Sequence, residues 1–146
     1  MKSKARIIEE LGDLIRINGD RIAGYERASQ EDIEKDPGVR NAFYKISIDS
    51  RSFVNDLHSE ILRLGGSPVT HKTVAGKLYR FWLARKVDFS GSDPLSLLAA
   101  LEYGEESVQA AYELALTTEM DFPANIRRLL ERQLIVLQRL HEPDVF

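Results

Sequence analysis

The sequence contains no cysteine, which excludes disulfides, thiolate metal sites and a cysteine nucleophile. It also lacks a long apolar run, for nothing in it approaches the roughly 20 residues that cross a bilayer. Met1-Lys2-Ser3-Lys4 leads straight into a helical pattern with Glu9 and Glu10, not into the apolar stretch of a signal peptide. A cytoplasmic location is expected, without a membrane partner. Basic surplus is missing too: 20 Lys and Arg stand against 23 Asp and Glu, a formal net charge of -3. With no excess cation to displace counterions from phosphate, nucleic acid is not an expected partner. There is no Gly-x-Ser-x-Gly elbow, Gly-rich phosphate loop, His-Glu-x-x-His or nucleotide fingerprint.

What the chain does have is a helical period. Its 146 residues, 43% hydrophobic and 29% charged, suit a single folded domain over residues 1–146 with a real core. Apolar positions recur at steps of three and four in four long segments. The first runs from about Lys4 to Ser29 on Ile8, Leu11, Ile15, Asn18, Ile22 and Tyr25. The second follows Asp36-Pro37, a cap and a proline at the first helical position. It carries Phe43, Ile46, Ser50, Phe53, Leu57, Glu60 or Ile61, and Leu64, and stops at Gly65-Gly66. The third starts at Ser92-Asp93-Pro94 and runs to about Thr118 on Leu98, Leu101, Glu105, Val108, Tyr112 and Ala115. The fourth begins near Asp121-Phe122-Pro123 and ends by Pro143, on Ile126, Leu129 or Leu130, Gln133, Val136 or Leu137, and Leu140. The stretch 66–92 is too long for a tight turn and holds a short helical pattern, Leu78, Phe81, Trp82 and Arg85. It reads as a crossover that lets the third helix run parallel to the second. The expected fold is all-α: a ferritin-like antiparallel four-helix bundle with a short extra helix in the crossover.

Each stripe turns polar near its middle, at Asn18, Ser50, Glu105 and Gln133. At about 1.5 Å of rise per residue, midpoints of four antiparallel helices lie at similar heights, so these four are expected to form one polar layer. Di-metal carboxylate bundles carry a Glu on two helices and Glu-x-x-His on the other two at this level. Here one carboxylate, two amides and a hydroxyl cannot neutralise two divalent ions. The layer reads as a hydrogen-bonded register device, with Arg51, Arg132, Tyr25 or Tyr112 as donors to Glu105, and with no cofactor. Glu105→Leu is then expected to leave the fold intact.

A metal site is the competing reading. Among the three histidines, His58 is placed facing solvent, His71 lies in the crossover, and His141 sits where imidazolium suits a helix C-terminus. His141 with Glu26, Glu102 and Glu105 is the candidate set for iron, manganese or zinc. Asp56 and Glu60, at i and i+4, read as an acidic surface, as does Glu106. Trp82 with Tyr79 and Phe81, among Lys77, Arg80, Arg85 and Lys86, has the composition of a base-stacking surface, yet suits packing over the bundle better.

Several motifs together resemble a bacterial family of ferritin-like four-helix proteins known as a domain of unknown function. They are Leu14-Ile15-x-x-Asn18-x-Asp20 with Gly24-Tyr25-Glu26, Ser50-Arg51-x-Phe53 with Arg63-Leu64-Gly65-Gly66, and Thr73-Val74-Ala75-Gly76 followed by Trp82. To these are added Glu102-x-Gly104-Glu105 with Ala111-Tyr112, and Leu130-Glu131-Arg132-Gln133 with His141. The resemblance spans nearly the whole chain. It implies the ferritin-like fold, an incomplete di-iron ligand set, an association with stress responses and no established activity. Asp56 and Val136 depart from acidic residues that the family pattern carries there. The expectation is a non-enzymatic stress-associated or partner-binding protein, a homodimer or one with a protein partner. The alternative is a metal-dependent ferritin-like oxidoreductase or metal-binding protein.

Overall fold

The computed structural model describes residues 3–30, 37–69, 76–85, 94–118 and 122–140. Among these, five helices and no strand occur: α1 (Lys4–Gln30), α2 (Pro37–Arg63), α3 (Lys77–Arg85), α4 (Pro94–Thr118) and α5 (Ala124–Leu140). The four long segments and the short crossover helix read from the periodicity are all present. The cap Asp36, the residues Asp93 and Asp121 near the starts of the third and fourth segments, and residues 70–75 and 86–92 of the crossover lie outside the described residues.

Local chemistry sets several ends. Ser3 starts α1, its Oγ accepting from the Arg6 amide at 3.2 Å as an N-cap does. At the far end of α2, Gly65 adopts φ +84°. The Gly66 amide donates to the Ile61 carbonyl at 2.9 Å and the Gly65 amide to Leu62 at 3.0 Å. This pair of bonds is the Schellman motif, and it satisfies two of the orphan carbonyls of α2.

Cross-helix bonds fix the directions. From α1 to α2, Arg21 meets Ser50 while Ile8 lies against Gly66. From α1 to α4, Arg21 meets Glu105 and Asn18 meets Tyr112. From α4 to α5, Tyr112 meets Gln133 and Arg127 meets the Leu116 carbonyl. From α2 to α5, Gln133 meets the Phe53 carbonyl and Asn125 meets Glu60. In each pair one number falls as the other rises, so neighbouring long helices are antiparallel, and α2 and α4 run parallel. The most extensive contact is α1 on α2, and α2 touches α5 least.

The core draws on all five helices, with Leu11, Leu14, Ile17, Leu57, Ile61, Val108, Tyr112, Leu130 and Leu137 fully enclosed. On α1 the buried face is wider than the expected stripe. Ile7, Leu14, Ile17 and Arg21 are buried, while Ile8 and Ile22 are only half-buried. The cause is α3, which packs on α1 alongside α2 and α4.

Two aspartates of α1 hold α3 in place. Asp13 accepts from the Gly76 amide at 2.8 Å and the Leu78 amide at 3.2 Å, capping α3 from 63 residues away. Arg16 reaches the same carboxylate at 2.9 Å. Two turns on, Asp20 Oδ2 accepts from the Tyr79 hydroxyl at 3.0 Å and the Trp82 indole at 2.9 Å. Position 76 must be glycine for this joint: a Cβ there would stand 2.5 Å from both Asp13 Oδ2 and Glu9 Oε1.

Candidate functional site

The middle of the molecule is polar, and the decisive residue there is one that periodicity did not single out. Arg21 is 4% exposed. Its Nε donates to Glu105 Oε1 at 2.6 Å and its Nη2 to Glu105 Oε2 at 3.0 Å, a fork that uses both carboxylate oxygens. Its remaining nitrogen, Nη1, donates to the Ser50 hydroxyl, and the Ser50 hydroxyl in turn donates to the Ile46 carbonyl at 2.9 Å. The Tyr25 ring lies with its centroid 5.5 Å from the guanidinium carbon, within cation–π range, and rests against Phe43, also 5.5 Å between centroids.

The electrostatics are those of a closed ion pair. Burial pulls the Arg21 guanidinium toward its neutral form, but the Glu105 carboxylate more than offsets this, and the net shift is upward. The guanidinium therefore stays charged. Burial, reinforced by the same carboxylate, pushes the Tyr25 phenol well above its ordinary value.

One level along the helices lies a second network. Asn18 Nδ2 donates to the Leu14 carbonyl at 2.8 Å and to the Tyr112 hydroxyl at 2.9 Å. Tyr112 donates to Gln133 Oε1 at 2.6 Å, and Gln133 Nε2 donates to the Phe53 carbonyl at 3.3 Å. Asn18, Ser50, Glu105 and Gln133 are thus all interior, but they divide between two levels. Glu105 and Tyr112 are two turns apart on α4, about 10 Å at helical rise. A single layer assumed equal heights; the offsets between helices split it.

Glu105 is partnered by neither Arg51 nor Arg132. Arg51 pairs on the surface with Glu26, and Arg132 is exposed on α5, lining a surface groove. Nor does His58 face solvent: it is half-buried, and its Nε2 accepts from the Val69 amide at 3.4 Å. Of the metal candidates, Glu105 is held by Arg21, Glu26 by Arg51, and Glu102 is exposed. His141 lies outside the described residues, as do His71 and Lys86. Among the described residues, no three His, Asp or Glu side chains come together as a metal site would need. Asp56 and Glu106 are exposed, whereas Glu60 is buried and accepts from Arg63 at 2.9 Å and Asn125 at 3.2 Å. Trp82 is 2% exposed and engaged with Asp20, so its face is turned to the core and not to a stacking partner.

Space decides what such a centre can do. The void beside the ion pair, lined by Gly24, Tyr25, Trp82, Leu101 and Gly104, measures about 10 Å³. That is the room one water needs, far below the several hundred Å³ of a small-molecule site. Concavities of about 440 and 420 Å³ lie at the surface instead, one between α2 and α5 and one beside α3 near Arg6, Phe81 and Leu114.

A family model for a domain of unknown function, DUF2383, matches residues 6–118. The chain belongs to this family. No curated protein matches the sequence. The DUF2383 match takes in Asn18, Arg21, Ser50, Glu105 and Tyr112, so the whole ion-pair level falls inside it, while Gln133 on α5 falls beyond it. No helix of the described DUF2383 chain is long and apolar enough to cross a membrane.

Proposed function

We propose that this DUF2383 protein is a ferritin-like bundle that acts without catalysis, by binding a partner on its surface in the stress setting that the family resemblance implies. The observation that carries the reading is the Arg21 fork on Glu105. With both oxygens accepting from one guanidinium, the chelating face of the carboxylate is occupied, and the fixed positive charge there repels a metal ion approaching the lone pairs that remain. A fixed cation already supplies the charge that a metal would bring. The ferritin-like assignment is supported by four long helices with antiparallel neighbours, a parallel α2–α4 relation, and α3 on the long connection between them. The void of about 10 Å³ at the centre leaves the surface as the place of action.

The test is metal content per chain, by elemental analysis of protein purified without chelators or a histidine tag, then incubated with ferrous iron. Sub-stoichiometric metal, together with ferrous oxidation no faster than free iron, is the expected result. About two equivalents of iron, manganese or zinc, lost on Glu105→Ala, would overturn the proposal in favour of a metal-dependent oxidoreductase or metal store.

A further inference from the structure

We infer that the outer face of α2 is a self-association surface, on which a second copy of this chain docks antiparallel. The inference deepens the surface-binding reading above. Three of the most exposed large apolar side chains of the described chain lie on this one helix: Tyr44 at 60%, Ile48 at 48% and Leu62 at 57% exposed. Tyr44 and Leu62 are eighteen residues apart, five full turns at 3.6 residues per turn, so they point the same way. Ile48 follows Tyr44 by one turn on the same side. This strip is opposite the buried positions Phe53 and Leu57, and among the described residues its apolar side chains stay exposed.

The order of residues along the strip selects the occupant. It is apolar at one end (Tyr44, Ile48), polar in the middle (Arg51, Asn55) and apolar again at the other end (Leu62). A two-fold contact places residue i against j and j against i. With the axis level with residue 53, Tyr44 of each copy meets Leu62 of the other, and Ile48 lies one turn inside that contact. Arg51 then faces Asn55 across the axis, a guanidinium donor against an amide oxygen acceptor. A parallel arrangement in the same register would instead set Arg51 against Arg51.

Charge does not oppose the contact. The symmetry axis brings both Arg51 side chains near one another, and each is already paired with Glu26 of its own chain, which lies half-exposed beside it. Both polar middles therefore approach as neutral pairs. The strip is about 27 Å long and about 10 Å wide, a footprint below the roughly 800 Å² per partner of a stable interface. The complex it forms is accordingly a reversible dimer whose population follows concentration.

The chain's lack of cysteine makes the register directly testable. Single-cysteine variants Tyr44→Cys and Leu62→Cys are oxidised separately and as an equimolar mixture, with circular dichroism confirming the fold of each. The expected result is a disulfide dimer that forms in the mixture several-fold faster than in either variant alone. Sedimentation velocity of the unmodified chain is expected to show a coefficient that rises with concentration, and Tyr44→Glu to abolish the rise. Equal cross-linking in all three samples, or a concentration-independent monomer, would overturn the inference. A monomer that still lacks metal would leave the non-catalytic reading standing and assign the face to a different protein.

Discussion

Arg21 and Glu105 meet through two parallel hydrogen bonds, 2.6 and 3.0 Å long, with both side chains almost wholly shielded from water. Losing one partner strands the other. Glu105→Leu leaves a buried guanidinium whose charge no carboxylate balances, and Arg21→Met leaves a buried carboxylate. Each single change is expected to cost about 3–5 kcal/mol. This reverses the expectation drawn from sequence, which offers Glu105 the donors Arg51, Arg132, Tyr25 or Tyr112 and not the buried Arg21. The double variant Arg21→Met/Glu105→Leu removes both desolvation penalties and is expected to lie within about 1–4 kcal/mol of the unmodified chain, on the more stable side. Urea denaturation of all four proteins measures the cycle. Additive single and double costs would mean the pair is not coupled.

Removing one hydroxyl tests the neighbouring level. Tyr112 joins Asn18 on α1 to Gln133 on α5, so Tyr112→Phe cuts both bonds while conserving the ring. Asn18 keeps the Leu14 carbonyl, but Gln133 Oε1 loses its donor in a dry interior. A loss of about 1–3 kcal/mol is expected, measured by chemical denaturation. Gln133→Leu in the Tyr112→Phe background should then recover part of it, because no acceptor remains to be satisfied.

Much of this architecture was legible because it rests on local rules. Asp-Pro and Gly-Gly punctuation and the 3.6-residue period give all four long helices and the short one. The core of the site was not legible, for two physical reasons. An arginine in a helix is a surface residue by default, so Arg21 was passed over, although Ile7, Leu11, Leu14, Asn18, Arg21 and Tyr25 form an unbroken alternation of four and three. That alternation was the available signal, obscured because α1 has three packed sides and hence two overlapping stripes. The second reason is distance along the chain. Asp13 and Asp20 act on Gly76, Leu78, Tyr79 and Trp82, and nothing local to an aspartate marks a partner some sixty residues on.

High pH offers a test that needs no mutation. Burial, with the Asp20 carboxylate, raises the Tyr79 phenol to about 12, and burial also raises the Tyr25 and Tyr112 phenols. A phenol that ionises less readily when folded holds its proton over a pH range in which the unfolded chain, titrating at about 10, has lost it. Stability is therefore whole below pH about 10 and falls as pH rises through the folded values. Absorbance of tyrosinate at alkaline pH is expected to appear in two phases. The second, containing Tyr25 and Tyr112, should coincide with loss of helical circular dichroism. Full titration of all five tyrosines with the helices intact would contradict the buried networks.

The joint between α1 and α3 separates an acceptor's role from that of its charge. Asp13 caps α3 through two amides, and burial raises its carboxyl above the ordinary range despite those bonds and Arg16. Asp13→Ala leaves the Gly76 and Leu78 amides unsatisfied and is expected to cost about 1–3 kcal/mol. Asp13→Asn keeps an acceptor oxygen and removes the buried charge, so at neutral pH it should cost much less than the alanine change. The two wild-type states also differ in sign with pH. A raised folded-state value means the protonated carboxyl is the better tolerated form, so the wild type gains on Asp13→Asn as pH falls through that value, and the gain levels off below about 3.8. Trp82 is the single tryptophan and sits in this joint, so its emission reports the packing of α3 on α1 and α4. A red shift in Asp13→Ala at denaturant concentrations that leave helical circular dichroism unchanged is the expected signature. Emission and circular dichroism that always move together would show that α3 has no transition of its own, and that the aspartate stabilises the whole fold at once.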